Sequence, residues 1–116
     1  MQSIQPAQFD EWIQHAISEH PGVKPVLLDV REAWEFETAR VQADPDFELK
    51  HIPMGAVPAR YLELDRERPI ACLCHHGVRS ARVAYFLVQQ GFSQVVNVHG
   101  GIDAWSHERD PGIPLY

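Results

Sequence analysis

Residues 74–80, with the sequence CHHGVRS, combine a cysteine nucleophile with two histidines, a glycine and an arginine. A tight turn of this kind between a strand and a helix points several backbone N–H groups inward and forms a small nest for negative charge. The helix that follows adds its free N–H groups and the positive end of its dipole. We therefore expect the thiolate form of Cys74 to be favoured, and the same donors suit the terminal sulfur of a persulfide or a bound oxyanion.

The elements on either side of this turn can be located from the apolar pattern. Residues 69–74, PIACLC, predict a buried strand that ends at Cys74. After the turn, apolar side chains recur at positions 83, 84, 87 and 88 on one face of a helix, which Gly91 ends. The nucleophile is therefore expected at the carboxyl end of a strand, directly before a helix.

The same alternation of strands and helices extends over the rest of the chain. Further buried strands are predicted at residues 25–30 and 95–98, and helices at residues 9–17, at 32–40 and around 102–105. This order indicates an α/β fold with a parallel sheet and helices on both faces. Ligands of such sheets bind beyond the carboxyl ends of the strands, where Cys74, Asp29 and His99 lie.

The pattern of apolar residues is weaker in two segments of the chain. Residues 41–50 are rich in acidic residues and contain a proline, so we expect a loop there. A short extended piece is expected near residues 56–57. Because the chain contains no repeat or linker, residues 1–116 are expected to form one domain.

Charge and composition exclude several classes of function. The chain has 116 residues, of which 10 are basic and 16 acidic, so the formal net charge is −6. This balance argues against general binding to nucleic acid or to an anionic membrane, since both require a basic face. No apolar run approaches the roughly 20 residues of a membrane span, and the first residues lack a signal-peptide pattern. We expect a cytoplasmic protein with reduced cysteines and without a cofactor, nucleic-acid partner or membrane partner.

Five short motifs of the chain resemble those of the rhodanese family, in the family's order. They are Asp29-Val30-Arg31-Glu32, His51-Ile52-Pro53 with Gly55-Ala56, the loop from Cys74 to Ser80, Gly91-Phe92, and Val98-His99-Gly100-Gly101 with Trp105. Met54 interrupts the second motif, and His75 and His76 stand where basic and small residues are commoner. The resemblance covers nearly the whole chain.

The resemblance implies a rhodanese-like fold, in which a central parallel five-stranded sheet is flanked by helices on both faces, and a persulfide intermediate on Cys74. It also implies a small sulfur donor, such as thiosulfate or a persulfide, and a thiol, a protein or cyanide as acceptor. Asp29 and Arg31 are expected to organise a strand end, and Arg79 to order the loop by pairing with Asp29 or Glu35. The residues expected to hold the transferred sulfur are His75, His76, Gly77, Val78, Arg79 and Ser80.

Loop length discriminates between activities within this group of folds. Four residues separate Cys74 from Arg79, which gives an active loop of six residues, 74–79. The similar phosphatases and arsenate reductases have one residue more and a wider cradle. A nest of fewer N–H groups suits one sulfur atom better than a tetrahedral oxyanion, so the length favours sulfur transfer over phosphate-ester hydrolysis.

Other functions use the same residues. A metal- or metalloid-binding module could employ Cys72, Cys74, His75 and His76, because copper(I) and zinc favour such soft ligands. Structural zinc sites usually gather ligand pairs from two separated segments, so the spacing argues against this module and we expect no metal. A phosphatase-like or arsenate-reductase-like enzyme, or a sulfur-binding domain without turnover, would share the loop.

Three side chains of this region have open roles. Cys72 could pack in the core or resolve a persulfide on Cys74, and packing is the commoner fate of such a cysteine. His75 and His76 could contact the donor's sulfonate or contribute their backbone alone. Imidazole carries little charge at neutral pH, which favours the backbone role.

Overall fold

The computed structural model describes residues 2–116, and its centre is a parallel sheet of five strands in the order β1-β5-β4-β2-β3. The strands are β1 (Gln2–Ile4), β2 (Val26–Asp29), β3 (Glu48–His51), β4 (Ile70–Leu73) and β5 (Val95–Val98). Every residue of β2, β4 and β5 is buried, which explains why these strands read as continuous apolar runs. The predicted parallel five-stranded sheet is confirmed.

Helices cover both faces of the sheet, as predicted. They are α1 (Phe9–Glu19), α2 (Ala33–Thr38), α3 (Val57–Arg60), α4 (Val78–Gln89) and α5 (Gly101–Glu108), with short 3-10 turns at Pro6–Gln8, Met54–Ala56 and Tyr61–Glu63. One apolar cluster joins Phe9 of α1 and Trp105 of α5 to the sheet. A second cluster joins Leu87 of α4 and Val57 of α3 to its other face.

The prediction of a loop over residues 41–50 is wrong at its C-terminal end, because β3 begins at Glu48 and pairs in parallel with β2. All four β3 residues are only partly buried and most are polar, as is usual for an edge strand, so the apolar pattern does not reveal it. The predicted extended piece at residues 56–57 is also wrong. Ala56 ends a 3-10 turn and Val57 begins α3, whose first turn holds Pro58.

The register of the sheet brings the functional residues together at the carboxyl ends of the strands. Asp29 at the end of β2 lies beside Leu73 at the end of β4, and Cys72 of β4 lies beside Asn97 of β5. The chain segments that leave these strands therefore lie side by side, beyond the carboxyl ends of the strands. Within residues 2–116, no helix is long and apolar enough to cross a membrane.

Candidate active site

Cys74 follows β4 directly, and its sulfur lies inside the turn that leads into α4. The backbone N–H of Gly77 donates a hydrogen bond to Cys74 Sγ at 3.0 Å. Gly77 precedes α4 with a φ of 103°, a left-handed conformation that residues with a side chain rarely adopt. The glycine therefore allows the chain to turn so that its amide faces the sulfur.

Two carbonyl groups of the loop accept hydrogen bonds from the start of α5. Ile102 N donates to Cys74 O at 2.8 Å, and Asp103 N donates to His75 O at 3.2 Å. These two donors belong to the first turn of α5, whose N–H groups have no partner within the helix. Gly101, with a φ of 61°, lies so close that an added Cβ would collide with both carbonyl oxygens. The close contact of α5 thus keeps negative backbone dipoles out of the nest.

Asn97 of β5 also forms hydrogen bonds with the loop. Asn97 Nδ2 donates to Gly77 O at 3.1 Å, and Asn97 Oδ1 accepts from Ser80 Oγ at 2.6 Å. Ser80 Oγ also lies 3.3 Å from Cys74 Sγ. Since a hydroxyl carries one proton, Ser80 can donate it to Asn97 and accept from the thiol, or donate it to the thiolate.

Arg79 pairs with Glu35 of α2, one of its two predicted partners. Its guanidinium donates two hydrogen bonds to this carboxylate, at 2.6 and 2.9 Å. The bond from Arg79 lowers the pKa of Glu35 to about 2, against the opposing effect of burial, and Tyr116 adds to the lowering. The same pair raises the pKa of Arg79. The active loop is therefore tied to α2 by a fully ionised pair.

Asp29, the other predicted partner of Arg79, binds Arg31 instead. Arg31 Nη2 donates to Asp29 Oδ2 at 2.7 Å, and both side chains are completely buried. Arg31 also donates to the carbonyl oxygens of Glu35 and Ala39, which fixes α2 on the sheet. Asp29 and Arg31 therefore organise the strand end, and through α2 they position Glu35.

Tyr116 connects these two ion pairs to the loop. Its hydroxyl donates to Glu35 Oε2 at 2.7 Å and accepts from Arg31 Nη1 at 3.0 Å. Burial raises the pKa of Tyr116 to about 12, so the phenol keeps its proton. The tyrosine ring stacks on the imidazole of His75 with centroids 4.0 Å apart.

The remaining predicted residues take distinct positions. Cys72 is completely buried in the apolar cluster on the α4 side of the sheet, and this burial raises the pKa of its thiol. It therefore packs in the core, the commoner of the two roles considered for it. His76 is exposed, and the side chain of Val78 is 65% exposed.

Asn97 and Tyr116 support the loop although the sequence reasoning did not single them out. Asn97 is the one polar residue of the buried strand VVNV, and a buried polar group needs partners, so its type was a usable signal. Tyr116 carried no such signal, because it lies in the tail that follows α5, distant in sequence from the loop.

Replacing Glu35 with Gln should change how stability depends on pH. A carboxylate whose pKa falls from 4.5 to about 2 on folding stabilises the protein above pH 4.5, and this contribution disappears as the pH falls towards 2. The drop corresponds to on the order of 3 kcal/mol. We expect Glu35→Gln to be less stable than the original protein by about this amount at pH 7 and to approach it near pH 2.

Urea denaturation from pH 7 to pH 2 measures this effect. Glu37 lies on the same helix and is exposed, so Glu37→Gln is the matched control and should follow the original curve. If the free energy of unfolding depended on pH in the same way in Glu35→Gln and in the original protein, the ion pair would contribute nothing to that dependence.

The chain is similar in sequence and in fold to several known proteins. A model of the family described as rhodanese-like domain matches residues 9–108. The thiosulfate sulfurtransferase GlpE of Actinobacillus pleuropneumoniae is 45% identical over 90 residues, which cover 77% of this chain and 75% of that protein. The crystal structure of a rhodanese-related protein from Thermoplasma volcanium matches with a TM-score of 0.76 and 30% identity, over 100% of both chains.

A longer relative contains the same region as one part of its chain. The rhodanese-like/PpiC domain-containing protein 12, chloroplastic, of Arabidopsis thaliana is 41% identical over 90 residues. The match covers 78% of this chain and 30% of the plant protein, so this chain spans less than a third of that relative. Taken together, the similarities support sulfur transfer in general terms, without specifying a donor or an acceptor.

Proposed function

This chain belongs to the rhodanese-like domain family, and we propose that it is a sulfurtransferase that carries sulfane sulfur as a persulfide on Cys74. The donor is thiosulfate or another persulfide, and the acceptor is a thiol, on a small molecule or a protein, with cyanide as a laboratory substitute. A cytoplasmic location, with cysteines kept reduced, is part of the same proposal.

The reaction has two halves, and each is a displacement at sulfur. In the first, the Cys74 thiolate attacks the outer sulfur of thiosulfate, the S–S bond breaks, and sulfite leaves with the electron pair. In the second, an acceptor thiolate or cyanide attacks the sulfane sulfur, and Cys74 leaves as a thiolate. The enzyme therefore alternates between two stable forms, which predicts ping-pong kinetics.

The observation that carries this proposal is the hydrogen bond from Gly77 N to Cys74 Sγ. It supports a negative sulfur at this position, because an N–H donor stabilises an anion more than a neutral thiol. The carbonyls of Cys74 and His75 are bound by α5 and do not oppose that charge. A terminal persulfide sulfur would meet the inward side of the same loop.

Access to the sulfur is a requirement of the proposal. Cys74 is 1% exposed, so a donor reaches Cys74 Sγ only after the atoms that cover it move aside. The exposed side chains of the loop are those of His76 and Val78, and exposed side chains change rotamer within nanoseconds. Small movements of this kind are compatible with a loop whose backbone stays fixed by α5 and Asn97.

Intact mass spectrometry after treatment with thiosulfate tests the proposal directly. We expect a gain of about 32 Da, one sulfur atom, that cyanide removes. The chain has two cysteines, so Cys74→Ser and Cys72→Ser form a matched pair. The adduct should be absent from Cys74→Ser and present in Cys72→Ser. No gain of mass in the original protein, or an adduct that survives in Cys74→Ser, would overturn the proposal.

A further inference from the structure

A cluster of potential metal ligands lies next to the nucleophile. His75, His76 and Asp103 each offer one nitrogen or oxygen atom, and these atoms all lie within 4.8 Å of one another. Two of the residues follow Cys74 in the active loop, and the third belongs to the first turn of α5. Sequence alone could not suggest this set, because Asp103 joins it through the docking of α5.

The backbone around the cluster is fixed, so that little ordering is needed to bring the ligands together. Asp103 N donates to His75 O at 3.2 Å, which holds the start of α5 against the loop. The His75 ring is held between the ring of Tyr116, at 4.0 Å, and the ring of His76, at 3.9 Å. His76 is exposed, so a turn of its ring towards an ion would give up only its stacking contact with His75.

The charges around the cluster suit a cation. Glu35 and Asp103 bring negative charge near the imidazole of His75, whereas Arg79 brings positive charge. The charge of Arg79 is largely balanced by its pairing with Glu35. The carboxylate of Asp103 completes the set.

We propose that His75, His76 and Asp103 bind a divalent transition-metal ion, represented by zinc, at the mouth of the active loop. Two imidazoles and one carboxylate are ligands that zinc uses, whereas calcium and magnesium require oxygen ligands throughout. His75 directly follows Cys74 in the chain, so an ion bound there would lie near the nucleophile. Binding of the ion does not depend on the proposed function, but its effect on sulfur transfer rests on it.

The decisive measurement is zinc binding to a chain without an affinity tag, treated beforehand with a chelator and carrying Cys74→Ser. This background removes the reactive thiol as a ligand and separates the metal site from the transfer reaction. Isothermal titration is expected to show one zinc ion per chain. His76→Ala and Asp103→Asn should each weaken binding at least about tenfold, since losses of supporting groups alone cost 10–100-fold.

His15 and Glu19 provide a matched control elsewhere on the surface. They lie four residues apart on α1, with 3.7 Å between His15 Nε2 and Glu19 Oε1, and both are exposed. His15→Ala should leave zinc affinity unchanged. Absence of binding, equal affinity in the original and the two site variants, or an equal loss in His15→Ala would overturn the site.

A second measurement concerns regulation and uses Cys74 intact. The rate of sulfur loading is measured with and without zinc in each variant, and the ratio of the two rates is compared. Zinc should slow loading in the original protein and have a weaker effect in Asp103→Asn. Suppose that zinc binds at the site but changes the loading rate by the same factor in the original protein and in Asp103→Asn. The metal site would then stand, and its effect on sulfur transfer would be overturned.

Discussion

Gly101→Ala is expected to slow sulfur loading of Cys74 at least about 100-fold, because a displaced loop would lose the bond from Gly77 N to Cys74 Sγ, and this is the usual cost of losing one anion donor. An added Cβ would collide with the carbonyl oxygens of Cys74 and His75, which are backbone atoms and cannot turn aside as a side chain would. The φ of 61° at Gly101 adds backbone strain. The start of α5 would have to move, and the two carbonyls would lose the donors that hold them away from the sulfur.

Gly22→Ala separates this effect from the general cost of replacing a glycine. Gly22 has a φ of 83°, so alanine is strained there as well, but nothing lies within 4 Å of its added Cβ. The control should cost about 1 kcal/mol in stability and keep the loading rate. The loading rates are measured by mass spectrometry at set times after mixing with thiosulfate. The free energies of unfolding are measured by urea denaturation. Equal loading rates in the two variants would show that α5 does not shape the nest.

The local part of the site could be predicted because the chain itself encodes it. A buried strand, a glycine turn and an amphipathic helix follow one another within residues 69–91, and each depends on neighbours in sequence. The position of Cys74 at the end of β4 follows from these signals. The same holds for Asp29, because β2 is an equally continuous apolar run.

The edge strands and the supports of the loop depend on distant contacts, and local pattern cannot predict these. Glu48–His51 becomes a strand because the side of β2 that is not paired with β4 offers hydrogen-bond partners, although the Glu48–His51 side chains show no apolar alternation. The choice of Glu35 over Asp29 for Arg79 follows from the complete burial of Arg31 beside Asp29. Tyr116 reaches Glu35 across 81 residues of sequence.

These supports form one connected system rather than independent contacts. Asp29 holds Arg31, Arg31 holds the carbonyls of α2, and α2 presents Glu35 to Arg79 of the active loop. Tyr116 bonds to both Arg31 and Glu35. Loss of the buried pair should therefore affect the whole domain, whereas loss of the Glu35 carboxylate removes its bonds to Arg79 and Tyr116 and leaves the buried pair in place.

Asp29→Asn is expected to cost about 3–5 kcal/mol of stability, the range observed when one partner of a buried ion pair is removed. Arg31 has no exposed surface, and its guanidinium donates to both carboxylate oxygens of Asp29. Asparagine keeps the shape and some hydrogen bonding but removes the charge that balances the buried cation. The loss is comparable to the whole stability of many domains, so a large share of the variant should be unfolded at 37 °C.

The exposed pair of Arg60 and Glu63 is the matched comparison for this buried pair. Arg60 Nε donates to Glu63 Oε2 at 2.8 Å, and the two side chains are 42% and 44% exposed. Solvent screens such a pair, so Glu63→Gln should leave the midpoint of urea denaturation essentially unchanged. Geometry is alike in the two pairs, whereas burial differs, so the contrast isolates the effect of burial. A small effect of Asp29→Asn, similar to that of Glu63→Gln, would mean that Arg31 finds another balancing group, and Glu35 would then be the first candidate.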